Sequence, residues 1–183
     1  MRELVYHVAV SVDGFIARTN GNAGEFAQEP GPHVDDYMAA LQRYDTVLMG
    51  RKTYEFGYDF GLEPGRAPYP GMHNYVFSAS LDLPDDLDPN LTRITGDPVT
   101  TVRALKAEPG APIYLCGGGQ LAGSLLRAGL VDRLVLKVNP IILGTGIPLA
   151  TGEVFDHPLE AVAQKSYPNG VQLLEYRVRR QAA

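Results

Sequence analysis

Three consecutive glycines, Gly117, Gly118 and Gly119, follow the apolar run Ile113-Tyr114-Leu115-Cys116 and lead into Gln120-Leu121-Ala122-Gly123-Ser124-Leu125-Leu126-Arg127-Ala128, a stretch with helical character. A strand that leaves a sheet through a side-chain-free turn into a helix exposes backbone N–H groups at the positive end of the helix dipole. That is the chemistry of an anion site, most often for phosphate. Two further segments carry matching groups. Gly50-Arg51-Lys52-Thr53 adds two cations and a hydroxyl after the apolar run Thr46-Val47-Leu48-Met49, and Ser78-Ala79-Ser80 adds two hydroxyls after Asn74-Tyr75-Val76-Phe77. Taken singly, each has an ordinary reading as a solvated helix start or a turn. Three such segments at strand ends together suit a ligand with several phosphates, and a dinucleotide with a 2′-phosphate fits the inventory.

The glycines are contiguous and do not follow G-x-G-x-x-G. The ribose-binding acid expected roughly 20 residues downstream in that pattern has no counterpart, since Asp132 comes too early and precedes a strand. The cradle therefore belongs to a different α/β fold, and cations without a matching acid favour NADPH over NADH. Cys116, at the end of a strand with no base nearby, reads as a small buried hydrophobe and not as a nucleophile. His7, inside an apolar run, reads as a packed histidine. Asp35 and Asp36 complement a helix N-terminus in their simplest role, and Asp13-Gly14 reads as a turn.

The elements that must position these groups follow from periodicity. Leu4 to Val10 is a nearly continuous apolar run, the mark of a strand covered on both faces. Val34, Tyr37, Met38, Leu41 and Tyr44 fall at helical spacing after Pro30-Gly31-Pro32. Residues 57–72, rich in glycine, proline and aromatics, read as a long irregular excursion of the kind that borders a site. Asp97 and Pro98 start a helix as N-cap and first residue, and Gly129 occupies a helix C-terminus. Leu134 to Val138 is a further strand, and Pro168-Asn169-Gly170 joins two runs with alternating side chains into a hairpin. The expected fold is α/β, a central mostly parallel sheet with helices on both faces and a C-terminal antiparallel hairpin.

A length of 183 residues suits one domain, taken as 1–183. With 16 basic and 21 acidic residues the formal net charge is −5, and no run of Lys or Arg tracks a nucleic-acid backbone, so nucleic acid is not an expected partner. A single cysteine points away from internal disulfides and Cys-rich zinc sites, and no metal is expected. The N-terminus has no signal-peptide core and no apolar stretch nears the roughly 20 residues that span a bilayer, so the expectation is a cytoplasmic protein without membrane partners.

Ser11-Val12-Asp13-Gly14-Phe15-Ile16-Ala17, Val47 to Glu55 and Gly117 to Leu121 resemble the three motifs of the dihydrofolate reductase fold. Leu121 to Asp132 and Pro140-Ile141-Ile142-Leu143-Gly144 are similar to its branch containing the reductase domain of riboflavin biosynthesis, the RibD C-terminal domain. The resemblance spans residue 4 to about residue 178. It implies that the amides of Gly117, Gly118, Gly119, Gln120 and Leu121 hold the pyrophosphate of NADPH. It places Gly50, Arg51, Lys52 and Thr53, with Ser78, Ala79 and Ser80, around the adenosine and its 2′-phosphate. Ile16 belongs to a loop that closes over the nicotinamide, and Asp13, Val34, Tyr54 and Cys116 face the substrate.

The implied activity is hydride transfer to a C=N-type carbon of a small heterocycle, with Asp36 or Asp35 assisting protonation. The substrate would be a phosphoribosylaminouracil of riboflavin biosynthesis, a dihydropterin or a relative; the alternatives are a dihydrofolate or pterin reductase and a non-catalytic NADP-binding sensor. Two departures stand out: Cys116 replaces a glutamate typical of the riboflavin reductases, and a gapless count from Gly50 puts Val34 where dihydrofolate reductases carry their pterin-binding carboxylate. A homodimer is implied as well, with Ile141 to Leu149 as interface or substrate wall.

Overall fold

The computed structural model describes residues 1–26, 30–152 and 156–179. In chain order the strands are β1 (Leu4–Ser11), β2 (Phe15–Ala17), β3 (Thr46–Gly50), β4 (His73–Phe77), β5 (Leu91–Ile94), β6 (Ile113–Gly117), β7 (Arg133–Asn139), β8 (Ile147–Pro148), β9 (Leu159–Ser166) and β10 (Gln172–Val178). The helices are α1 (Pro32–Leu41), α2 (Arg51–Glu55), α3 (Pro98–Ala107) and α4 (Gly119–Arg127).

Among the described residues eight strands form one sheet in the order β5-β4-β3-β6-β1-β7-β10-β9. From β5 to β7 every neighbouring pair is parallel. The last two strands turn antiparallel, with β10 against β7 and β9 against β10. The apolar run that reads as a doubly covered strand is β1, near the middle, flanked by β6 and β7.

Alternation within the strands feeds two cores. Leu4, Tyr6, Leu48 and Leu115 pack with Val102 and Leu105 of α3 and Leu121, Ala122 and Leu125 of α4. Val47, Met49, Val76 and Tyr114 pack on the opposite face with Leu41 of α1, Tyr54 of α2 and Met72. Each fully buried leucine here contributes about 1.5–3 kcal/mol. Helices thus lie on both faces. Asp97 caps α3 by accepting from the Thr100 amide at 2.8 Å, Gly129 follows α4 with φ of 64°, and Gly170 turns the β9–β10 hairpin.

Three strands escape the pattern reading. β5 has four residues, LTRI, of which one is fully buried, and the β4–β5 crossover contains no helix. β2 and β8 pair with each other in a separate two-stranded sheet, where a loop is expected from sequence. The helix expected through Tyr44 stops at Leu41, and Met38, assigned to its apolar face, is 53% exposed. Tyr44 still packs, stacked on Tyr114 at 5.3 Å between ring centroids. No helix among the described residues is long and apolar enough to cross a membrane.

Candidate functional site

β1, β3, β4 and β6 run parallel, so Ser11, Gly50, Phe77 and Gly117 all end at one edge of the sheet. This is where ligands collect in parallel α/β folds. β3 and β6 are neighbours, which brings Gly50-Arg51-Lys52-Thr53 beside the triple glycine. A β-carbon on Gly117 or Gly118 would lie 3.6 or 3.4 Å from Thr53 Oγ1, and one on Gly50 would lie 3.9 Å from the Gly118 nitrogen. Side chains would fill that space; glycines leave it lined by backbone. The Gly117–Gly118 peptide is cis, and Gly117 holds φ of 148°. Gly118 caps α4 without a side-chain hydrogen bond, so the amides of Gly119, Gln120 and Leu121 present the donor end of a nine-residue helix with no acidic residue in its first turn.

At the outer side of this edge Arg51 donates from Nη1 to Ser80 Oγ at 3.0 Å and from Nε to Glu55 at 2.7 Å. Ser78 Oγ accepts from the Ser80 and Leu81 amides, fixing the turn that holds Ala79 and Ser80. The sequence segments 50–53, 78–80 and 117–121 are therefore assembled at one edge. Asp132, by contrast, is paired with Lys106 and accepts from the Leu4 amide, far from any ribose role.

On the α1 face the edge continues into a cavity of about 420 Å³. Its lining includes Ile16, Val34, Lys52, Thr53, Tyr54 and Cys116, all expected near the site, together with His7, Phe26, His33, Tyr37, Tyr69, Tyr114 and Lys137. The hydroxyls of Tyr37 and Tyr114 lie 3.1 Å apart, and Tyr69 contacts Tyr37 at 3.5 Å and Cys116 Sγ at 3.5 Å. Burial pushes Tyr37, Tyr69, Tyr114 and Cys116 above their ordinary pKa values, so all four keep their protons. Burial also lowers His7 to about 4, with the Lys137 charge as the smaller cause, and lowers Lys137 itself. Lys137 Nζ donates to the Phe26 carbonyl at 2.9 Å.

Several expected site residues go elsewhere. Asp36 accepts from Tyr167 at 2.6 Å and pairs with Lys165, on the β9–β10 side of α1, and Asp35 is exposed in the first turn. Neither is among the residues that line the cavity. Asp13 is exposed and accepts from the amides of Leu143 and Gly144 at 3.1 and 2.7 Å, tying two loops together. Its carboxyl is held below the usual range by a Ser11 hydrogen bond first, then by those amides. Tyr54 lines the cavity, yet its hydroxyl is committed to the Gly65 amide and the Arg66 carbonyl. Within 141–149, β8 pairs with β2, and no residue of the segment is among those lining the cavity.

The sequence profile of the RibD C-terminal domain matches residues 2–173. The chain belongs to the RibD C-terminal domain family. Two proteins of Bacillus subtilis (strain 168) are similar to this RibD C-terminal domain along nearly its whole length. The uncharacterized protein YwjB is 32% identical over 172 residues, covering 94% of this chain and 96% of that one. The uncharacterized protein YyaP is 28% identical over 183 residues, with coverage of 96% and 94%.

Among solved structures, a putative riboflavin biosynthesis protein from Shewanella sp. PV-4 aligns with a TM-score of 0.81 at 24% identity, over 98% of this chain and 100% of that one. A pyrimidine reductase-like protein from Corynebacterium diphtheriae aligns at 0.71 and 18% identity, over 98% and 93%. At these identities the two structures speak for the shared fold, which is the dihydrofolate reductase-like arrangement expected from the motifs. Within this RibD C-terminal domain, pattern reading passed over His7, Tyr37, Tyr69, Tyr114 and Lys137 as site residues. The available signal was strand phase: His7, Cys116 and Lys137 sit on three different strands and all face α1.

Proposed function

We propose that this RibD C-terminal domain is an NADPH-dependent reductase acting on a C=N-type carbon of a small heterocycle. One observation carries the reading: a glycine-lined anion cradle and a tyrosine-rich cavity of about 420 Å³ meet at the same sheet edge and share Thr53. A cavity of that size suits a small ring, since small-molecule sites run from about 300 to 1,000 Å³. The structural neighbours, a putative riboflavin biosynthesis protein and a pyrimidine reductase-like protein, point the same way.

The cradle suits a dinucleotide because Gly50, Gly117 and Gly118 admit close backbone approach and α4 starts there with no side-chain cap on its N-terminal amides. Arg51 and Ser80, held together, with Lys52 beside them, supply the cation and hydroxyl for an additional phosphate. NADPH, when bound, supplies the hydride. The protein's share is to bind, orient and keep water out. Ile16 and Ala17 wall the cavity, and the tyrosine hydroxyls with Cys116 offer neutral hydrogen bonds that orient a ligand without exchanging protons. The protonating task expected of Asp36 or Asp35 has no support in their positions.

Thermal unfolding with each nucleotide tests the cofactor. NADPH is expected to raise the melting temperature more than NADH at equal concentration, by mass action. Arg51→Ala should shrink that difference by about tenfold in affinity, as loss of a charge-assisted phosphate contact would. Equal shifts from the two nucleotides would sink the phosphate assignment. Absence of NADPH oxidation across pterin and pyrimidine substrates would sink the reductase reading.

A further inference from the structure

His7, His33, Tyr37 and Lys137 line the cavity just described and also a second one of about 310 Å³ between α1 and the β7–β10 strands, so they form a partition between the two. Two imidazole nitrogens in that partition, His7 Nδ1 and His33 Nε2, are buried with no hydrogen-bond partner among the described residues, and each histidine is only 5% exposed. Leaving a buried polar atom unpaired forfeits its hydration without replacement, so such atoms mark a place where a further group belongs.

The missing partner can be characterised chemically. Asn169 Nδ2 donates to His33 Nδ1 at 3.3 Å, which leaves the ring hydrogen on Nε2 as a donor in want of an acceptor. Lys137 brings an ammonium with three N–H bonds, one of which goes to the Phe26 carbonyl. Burial lowers its pKa, and no carboxylate is found among the described residues that line the first cavity. The carboxylates that border the second cavity are already engaged, Asp36 with Lys165 and Tyr167 and Glu175 with Arg133. The partition itself therefore offers one positive charge, that of Lys137, and neutral donors; Lys52 stands on the wall of the first cavity and Arg43 and Arg133 on that of the second. A single half-buried ammonium balances one negative charge; a phosphate monoester would bring about 1.5 to 2.

We propose that the substrate carries a ring carboxylate and that this partition receives it, with Lys137 Nζ supplying the charge and His33 Nε2–H a hydrogen bond. The proposal rests on the reductase reading for its placement beside the cofactor. The competing occupant is a buried water bridging the two imidazoles, which would leave Lys137 dispensable for ligand binding.

Calorimetric titration distinguishes the two, on cofactor-free and on NADP+-saturated protein. The probes are matched pairs: orotate against uracil, and pterin-6-carboxylate against pterin. In at least one pair the carboxylate member is expected to bind about tenfold or more tightly than its neutral parent, the ratio an added charge-assisted hydrogen bond produces. Lys137→Met should abolish that ratio and Lys137→Arg should keep it. The melting shift with NADPH, retained in Lys137→Met, shows that the variant is folded. No preference for the carboxylate in either pair, or a preference that survives Lys137→Met, overturns the proposal. A protein that prefers the carboxylates yet shows no NADPH shift would lose the cofactor reading and keep this one.

Discussion

His7 is buried in a wall that favours its neutral form, and this has a consequence for acid stability. Its folded pKa is lowered from 6.5 to about 4, by burial first and the Lys137 charge second. Between those values the unfolded chain binds more protons than the folded one, so stability rises with pH across the window. The stabilisation is complete above 6.5, falls away as pH drops towards about 4, and levels off below, where both states are protonated. Its size is about 3 kcal/mol. Urea unfolding near neutral pH and near pH 4 should show wild type losing about 3 kcal/mol more than His7→Phe. Equal acid losses in the two proteins would remove His7 as the cause. The type of residue and its burial were legible from the apolar run around it. Its place on a cavity wall was not, because that depends on what α1 and β7 bring opposite, and the chain pattern near residue 7 carries no trace of either.

At the scale of elements, the segment 147–151 crosses the start of α4 so closely that only glycines fit beneath it. A β-carbon on Gly119 would stand 2.4 Å from the Pro148 carbonyl oxygen, and one on Gly123 would stand 2.0 Å from that of Thr151. The Thr151 amide donates to the Gly119 carbonyl at 3.0 Å, and Tyr6 Oη donates to the Leu149 carbonyl at 2.9 Å, so the strap is fixed to both α4 and β1. Gly119→Ala should cost about 1–3 kcal/mol by overpacking and weaken the NADPH-induced melting shift, because the amides it displaces open the anion cradle. Gly71→Ala, with nothing near its β-carbon, should stay within about 0.5 kcal/mol of wild type. Comparable losses in both would mean that helix position, not the strap, sets the cost. The triple glycine announced its site in sequence because a run without side chains is rare and its physical use is narrow. β2, β5 and β8 gave no such notice: two to four residues are too few for a period to show. α1 was visible as a helix, but its rotation was not. At 3.6 residues per turn, one position separates Tyr37, which faces the cavity, from Asp36, which faces β9.

For the whole molecule, the sheet is covered by helices on both faces through β1 and β6 but ends in a strand that is almost entirely exposed. β9 pairs with β10 on one side, and its other edge has no partner strand among the described residues. Leu159 and Val162 on it are 44% and 48% exposed. Edge strands left open invite association, and soluble proteins usually guard them. Here the ladder is interrupted: Ala161 lies opposite Tyr176 and Ala163 opposite Glu175, so Val162 is the extra residue of a bulge. A bulge disfavours extending the sheet edge to edge, which leaves packing of the apolar side chains as the route for a second copy. We propose a homodimer formed over this end of the sheet, with twofold symmetry bringing each β9 against its equivalent. The site would feel the contact, since Lys165 of β9 and Tyr167 hold Asp36 of α1, whose Tyr37 borders both cavities. Light scattering behind size exclusion at micromolar concentration should give twice the chain mass of 19.9 kDa. Val162→Lys should give the single mass and a melting temperature lower by several degrees, because the apolar contact is lost and each chain pays for its own exposed edge. A wild-type protein that runs at the single mass, or a dimer indifferent to Val162→Lys, would place the association elsewhere or remove it, and would leave the cofactor cradle, on the opposite side of β1, untouched.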